Sequence, residues 1–368
     1  MKILALYLPQ FHEIEENNLW WGDGYTEWSA VRRAKPLFKN HVQPKIPLNN
    51  NYYDLSEISA KTWRWQSELA MGNGLYGFCV YHYWFKGKML LEKPLDILLN
   101  NPSIDTRYCI NWANETWTRT WYDLEKEVLM EQEYGSMTDW YNHYVFLSKY
   151  FKDPRYIKIN NMPVFHIYRI HDIQCIESML KLWNKCARED GFNGIYLVAS
   201  RHAQSAEIIE SPYVNAYYNF EPGFSLKHNI TFSEASKYTL RILSKKFANT
   251  LFEKKQVERY IDLDLIYNRI KKECVVNKNM EIKIFNGVFP RWDNTPRRGY
   301  KGSVYLGEDP LKFETLLRFI NMNTEADDFV YLNAWNEWGE GCYIEPDEEY
   351  GYQFLKAIQR VQSGNYDY

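Results

Sequence analysis

Apolar residues in this chain gather into eight short runs rich in β-branched and aromatic side chains, each followed by polar or helix-like sequence. The runs are residues 2–12, 75–85, 107–115, 163–169, 194–200, 214–221, 282–293 and 329–340. Near-continuous apolarity over such lengths predicts strands covered on both faces, as in a parallel sheet. Between several of them the apolar positions recur at helical spacing, over Leu55–Met71, Met137–Phe151, Ile173–Arg188 and Pro310–Asn321. Strands alternating with helices predict βα units. Eight such units predict one closed (β/α)8 barrel, with a doubly wound open sheet as the competing architecture. Two connections are long. Residues 22–51, rich in Trp, Pro and Asn, follow the first strand and are expected to fold over the barrel mouth. Residues 227–283, before the seventh strand, read as a helical insertion. No repeat or Pro/Ser-rich linker marks a boundary, so residues 1–368 are expected to form a single domain.

The runs also share a polarity. Each begins apolar and ends polar: Gln10 and His12, His82, Asn111 and Asn114, His166 and Arg169, Arg201, Asn219 and Glu221, Arg291 and Asp293, Asn333 and Glu337. A barrel enzyme collects its working groups at the C-terminal ends of its strands, where the loops surround one mouth. The pattern therefore points to chemistry at that mouth.

Composition narrows the partners. Forty-four basic against 47 acidic residues leave a formal charge of −3, which gives no reason to expect nucleic acid. Residues 227–283 are the exception, with a clear excess of Lys and Arg. A solvated helical face explains that excess, and so does a basic surface for peripheral contact with anionic lipid or an anionic polymer. The 14 Trp and 30 Tyr fill core, but their flat faces and polar edges also suit sugar rings. Six cysteines form no C-x-x-C pair, and Cys79 and Cys109 sit inside apolar runs, so reduced thiols and a cytoplasmic location are expected. The opening MKILALYLPQFH is too short in its apolar part for a signal-peptide core, and no stretch approaches a membrane span.

The richest segment is Asn333-Ala-Trp335-Asn336-Glu337-Trp338-Gly339-Glu340-Gly341, closing the eighth run. Cleaving a glycosidic bond needs two carboxyl groups, and retaining enzymes hold theirs about 5–5.5 Å apart. Positions i and i+3 in extended chain face opposite sides, about 10 Å apart. In a helical turn the same spacing puts them on one face, with Cβ atoms about 5–6 Å apart. Gly339 and Gly341 make such a turn easy. Glu337 and Glu340 are thus the candidate catalytic pair, and their proximity would push their pKa values apart. An E-x-x-E spacing alone usually marks a solvated helix face; the setting between Trp335 and Trp338, after a buried strand, is what singles this one out.

Other strand-end residues are candidate sugar contacts: His82, Trp84, Asn111, Trp112, Asn114, Glu115 and Trp292, with Trp335, Asn336 and Trp338 around the carboxylates; Tyr81 and Tyr83, in the same run as His82 and Trp84, offer stacking faces too. Glu27 and Trp28, in the first long loop, are placed to cap the pocket. His82 also reads as a hydrogen-bonded core residue, Glu115 as a structural ion pair, and Glu345 as a turn or ion-pair residue. Competing chemistries lack their motifs. There is no phosphate loop, no H-E-x-x-H and no G-x-S-x-G elbow. Gly22-Asp-Gly24 lacks the third glycine of a dinucleotide fingerprint, since position 27 is Glu. No cofactor or metal is called for.

These motifs carry a resemblance. Tyr7-Leu-Pro-Gln-Phe-His12, Trp20-Trp-Gly-Asp-Gly-Tyr-Thr-Glu27-Trp28, Asn111-Trp-Ala-Asn-Glu115 and Trp335-Asn-Glu-Trp-Gly-Glu-Gly341 with Glu345-Pro-Asp347 resemble the WbsX-type proteins across nearly the whole chain. That family is related to glycoside hydrolase family 99, the endo-acting α-mannosidases, which are (β/α)8 barrels. Its members are encoded among genes for O-antigen and capsule assembly and often carry the label glycosyltransferase. The resemblance implies retaining hydrolysis of an oligo- or polysaccharide with no metal. Glu337 would act as base on the sugar 2-hydroxyl, which attacks C1 to give a 1,2-anhydro sugar. Glu340 would act as general acid and then as the base that activates water. Tyr7, Trp84, Glu115 and His166 would contact the sugar. Three functions stay open from the sequence: a retaining glycosidase or transglycosidase, a glycosyltransferase of surface-polysaccharide assembly, and a non-catalytic glycan-binding barrel.

Overall fold

Every one of the eight apolar runs supplies a parallel strand. The structure, a computed structural model, describes residues 1–118, 127–228, 239–240, 242–245, 247, 249 and 256–364. The strands are β1 (Lys2–Tyr7), β2 (Gly77–Phe85), β3 (Tyr108–Trp112), β4 (Met162–Ile167), β5 (Tyr196–Arg201), β6 (Ala216–Asn219), β7 (Lys283–Val288) and β8 (Phe329–Leu332). Each pairs in parallel with the next. β8 returns to β1, with Lys2 opposite Phe329 and Ala5 opposite Leu332, so the sheet closes. This is the expected (β/α)8 barrel, and the open sheet is excluded because neither β1 nor β8 keeps a free edge.

Burial on both faces follows from that closure, and it is nearly complete along every strand. Gly287 in β7 shows how closely the strands approach, since a Cβ there would stand 1.9 Å from the Asn219 carbonyl of β6. The expected helices are present with shifted ends: Lys61–Gly72, Met137–Phe151, Ile176–Glu189 and Pro310–Met322. Local chemistry sets those ends. Asp309 accepts from the Leu311 amide at 2.7 Å ahead of Pro310, and Ser136 and Asp139 form a capping box. The first helix starts six residues later than its apolar pattern because Ala60, at φ +54°, turns the chain before it.

The long connection before β7 divides in two. Leu263–Asn277 is a helix that buries Leu263, Ile266, Tyr267, Ile270 and Cys274, and it is the barrel's own crossover onto β7. Ahead of it, Arg259–Asp262 pairs in parallel with Ser303–Leu306, outside the barrel. Much of the basic stretch expected as an insertion, including 229–238 and 250–255, lies outside the described residues. No helix among the described residues is long and apolar enough to cross a membrane.

Below the mouth the barrel interior is filled by side chains that satisfy one another. His166 Nε2 lies 2.7 Å from the Tyr331 hydroxyl and Nδ1 3.1 Å from the Ile110 carbonyl. Asn111 donates to the Tyr218 hydroxyl at 3.1 Å, and the Tyr218 and Tyr331 rings stack. Within the barrel the described side chains close the interior at this layer, and a space opens above it.

Candidate active site

That space is a cleft of about 380 Å³ at the C-terminal mouth, within the usual range for ligand sites. Tyr81 and Tyr83 from β2, Tyr168 after β4 and Phe220 after β6 line its lower part, with Trp21, Trp117, Trp292 and Tyr305 higher up. Glu337 and Glu340 both open onto it.

The two carboxylates stand on a tight hairpin. Asn336 and Glu337 pair antiparallel with Tyr343 and Cys342, and Trp338–Glu340 makes a single turn of 3-10 helix between them. Gly341 closes the turn at φ +58°, where a Cβ would also press to 2.8 Å from the Asp293 carbonyl. A turn was required to bring the pair onto one side, and this hairpin provides it. Its underside is held by residues named for the sugar. Asn336 accepts from the Leu8 amide at 2.8 Å and donates to the Leu8 carbonyl at 3.0 Å, as a paired strand would. Trp338 stacks on Tyr343 and donates Nε1 to Glu345 at 2.7 Å.

Glu345 is the hub beneath. It also accepts from Tyr53 at 2.9 Å and Gln66 at 2.7 Å, and Gln66 in turn accepts from Tyr7 at 2.7 Å. Burial pushes its carboxyl up to about 7 against the pull of those donors. Replacing Glu345 by Leu would strand three buried donors, so a loss of about 2–4 kcal/mol is expected in denaturant unfolding. Glu345→Gln, which keeps an acceptor, should lose less.

One arginine joins the acids from the other side. Arg297 donates Nη1 to Glu340 at 2.9 Å, Nη2 to Glu337 at 3.2 Å, and Nε and Nη2 to Glu27 at 3.0 and 2.7 Å. Glu27 is fully buried at the start of helix Glu27–Arg33, under the hairpin. Gly339 leaves room for this cluster, since a Cβ there would fall 1.9 Å from Glu27 Oε1. The loop bearing Arg297 is pinned through Asp293, which accepts from His41 and Gln43 at 2.7 Å each and from Thr295. The Asp293 amide donates to the Glu340 carbonyl at 2.8 Å, tying loop to hairpin.

Electrostatics separates the pair from ordinary surface acids. Burial lifts the Glu337 carboxyl to about 8, Arg297 opposes that, and Glu340 and Glu27 add to it. Glu340 is also raised by burial against Arg297. The two groups titrate as a coupled pair, so a proton stays on the pair through neutrality.

Of the residues singled out in the sequence, the cleft brings together Glu337, Glu340, Glu115, Trp292, Tyr81, Tyr83 and the strand-end Gln10. Glu115 keeps its carboxylate against Arg169 Nε at 2.7 Å. Glu27 lies one layer below. The rest do not line the cleft. His82 and Trp84 point outward from β2 into helix Met137–Phe151, where His82 meets His143 at 2.9 Å and Trp84 stacks on the same ring. Trp112 also faces outward and donates to the Trp84 carbonyl at 3.2 Å. Asn114 holds the Arg169 backbone and the Tyr134 hydroxyl. Tyr7 stacks on Trp63, Trp28 donates to the Tyr53 carbonyl, and Trp335 packs on Phe78. Asn111 and His166 belong to the closed interior layer described above.

A profile of the family described as "Glycosyltransferase WbsX" matches residues 3–358. The chain belongs to the WbsX family. Two curated relatives of this WbsX chain, both named "Uncharacterized protein WxcX", come from Xanthomonas campestris pv. campestris strains B100 and ATCC 33913. Each is 32% identical over 365 residues, covering 98% of this chain and 49% of the relative. The chain thus spans about half the length of the curated relatives it matches. Among solved structures, a "Glycoside hydrolase-like protein" superposes with a TM-score of 0.61 at 13% identity, covering 98% of this chain and 93% of the other. The GH99 endo-alpha-mannosidase from Bacteroides thetaiotaomicron superposes with a TM-score of 0.56 at 12% identity, covering 98% and 96%. At such identities these likenesses concern the fold.

Several WbsX cleft residues carried no sequence signal of their own. Arg297 stands in Asn294-Thr-Pro-Arg-Arg298, four positions beyond the polar end of the seventh run. Tyr81 and Tyr83 did carry one, as rings of the Tyr81-His82-Tyr83-Trp84 run, but period two alone does not say which pair faces the axis. Tyr168, one residue past β4, was hidden in the same way.

Proposed function

We propose that the protein is a retaining glycoside hydrolase or transglycosidase acting on α-linked, mannoside-like sugars of a bacterial surface polysaccharide. The observation that carries this reading is the Glu337–Glu340 hairpin: two carboxylates in contact with one guanidinium, at the base of an aromatic cleft on a barrel mouth. Glu337 takes the proton of the sugar 2-hydroxyl, whose oxygen closes on C1 as Glu340 gives its proton to the leaving oxygen. The product is a 1,2-anhydro sugar and a free alcohol. Glu340, now a carboxylate, deprotonates the water that opens the three-membered ring at C1, and the 2-oxygen regains its proton from Glu337. Two displacements at C1 retain the configuration, and an acceptor hydroxyl in place of water gives transglycosylation. Tyr81, Tyr83, Tyr168 and Trp292 supply stacking faces and hydroxyls to hold the ring.

A second reading, glycosyl transfer from an activated donor, is favoured by the family's description as glycosyltransferases. Time-resolved proton NMR of the protein with the producing cell's own surface polysaccharide separates the two. Reducing-end anomeric signals that appear first in the α-configuration, and are absent with Glu340→Gln, support the retaining glycosidase. No cleavage, together with product formation from a nucleotide-sugar donor, would replace it with the transferase.

The pKa values set the expected pH dependence. Glu337 must be ionised to act as base and Glu340 protonated to act as acid, so the pair works with one proton between the two carboxyls. On the cleavable glycan kcat/KM should be bell-shaped, with an alkaline limb near 8 where the free protein loses the last of these protons. A limb that stays flat to pH 10 would contradict a carboxyl acid in this site.

A further inference from the structure

Not every cation of the cleft has a carboxylate in contact. Glu337 and Glu340 share Arg297 with Glu27, and Glu115 meets Arg169. Two further arginines line the same cleft, Arg298 and Arg259, and neither forms an ion pair among the described residues. Arg298 Nε is closed off from solvent and donates to nothing among the described residues. A buried donor left unmade is uncommon in folded proteins, and an acceptor arriving from outside removes its desolvation cost.

Both arginines are held for this placement. Arg259 begins the short strand that pairs with Ser303–Leu306, opposite Ser303. Ser303 accepts from Trp292 Nε1 at 3.0 Å, and its amide donates to Asn294 at 2.7 Å. Arg298 closes the helical turn Thr295–Arg298, directly after the residue that grips Glu340. Its charge lowers the Glu340 pKa without contact. Arg298 and Arg259 both line the cleft, together with Trp292, Tyr305 and Glu340.

Resting on the glycosidase reading for what occupies the cleft, we propose that the substrate carries an anionic oxygen group, carboxylate or phosphate, near the scissile bond. Arg298 and Arg259 receive it. The guanidinium fork matches either group with paired hydrogen bonds, whereas a neutral hydroxyl leaves the arginine charge uncompensated. The protein would then discriminate between an acidic sugar and its neutral counterpart with the same ring.

Calorimetric titration of the Glu337→Gln protein tests this with four probes. They are the producing cell's surface polysaccharide, that polysaccharide with its carboxyl groups reduced, the same material freed of phosphate, and UDP. The native polysaccharide is expected to bind at least about tenfold more tightly than one of the two modified forms, a difference of about 1.4 kcal/mol. Arg298→Gln and Arg259→Gln should each erase that preference. Loss on carboxyl reduction identifies an acidic sugar, and loss on phosphate removal identifies a phosphorylated one. Arginine-dependent binding of UDP with no polysaccharide preference keeps the anion site but assigns it to an activated donor, and so overturns the glycosidase reading instead. Equal affinity for all polysaccharide forms without UDP binding, or no binding of any probe, overturns the anion proposal. Cleavage by the wild-type protein in the NMR experiment would in those cases leave the glycosidase reading standing.

Discussion

Arg297→Met is expected to lose about 3–5 kcal/mol of stability, the usual loss when a single partner is removed from a buried ion cluster. The side chain is 5% exposed and the only described cation in contact with three carboxylates, of which Glu27 is fully buried and Glu337 nearly so. Removing it leaves Glu27 with no donor to either oxygen, since Oε2 already lacks one. The folded protein can escape only by taking up protons or admitting water. Arg297 opposes the rise in both catalytic candidates, so its loss should also push both pKa values further up. Denaturant unfolding at two pH values measures both effects. The penalty should be smaller at pH 5 than at pH 8, because protonated carboxyls need no counter-charge. Adding Glu27→Gln should recover part of the loss, and that non-additivity is the signature of contact. Equal stability of wild type and Arg297→Met at pH 8 would mean that the cluster is already protonated and the clamp ionically idle.

The sequence and the structure agree where a signal is carried by many residues at once. Eight buried strands require eight apolar runs, and no other arrangement of such runs closes without edges, so barrel architecture was legible. The hairpin was legible too, because two glycines beside two acids at i, i+3 permit little besides a turn. What was not legible is direction. In β2, His82 and Trp84 are as suitable for a sugar as Tyr81 and Tyr83, and one residue of register decides which pair meets the cleft. The outward pair is instead absorbed by His143 of helix Met137–Phe151, a partner 61 residues from His82. Tyr7 and Trp338 support the hairpin from below through Glu345, and Asn336 does so through the Leu8 backbone, instead of lining the cleft. Arg297 shows the opposite limit. Its importance comes from three acids at positions 27, 337 and 340, and only folding makes them neighbours.

Glu340→Gln and Glu337→Gln should each lower kcat on the cleavable glycan by roughly 10²–10⁴-fold, the range of a single general acid or base. Neither should unfold the protein, since Gln keeps an oxygen for Arg297 and removes one charge from a crowded cluster. The two losses should differ in kind. A leaving group that departs without protonation bypasses the acid, so an activated aryl glycoside of the same sugar should recover most of the Glu340→Gln loss in the first displacement. It should recover little for Glu337→Gln, because the 2-oxygen still has to lose its proton to become a nucleophile. A substrate lacking the 2-hydroxyl should be inert with wild type for the same reason. If the aryl glycoside instead rescued Glu337→Gln and left Glu340→Gln impaired, the roles would be exchanged. Burial lifts the Glu337 carboxyl to about 8, and a carboxyl that holds a proton is a natural donor, so that exchange is an alternative to exclude. Substrate bound through the 2-hydroxyl would have to place the shared proton on Glu340. The pH profiles of the two variants decide whether it does. Glu340→Gln retains only the ionisation of Glu337 of the pair, now without the Glu340 charge beside it, so its rising limb should fall below 8. The same limb unmoved would mean that burial alone, rather than Glu340, holds the proton on Glu337.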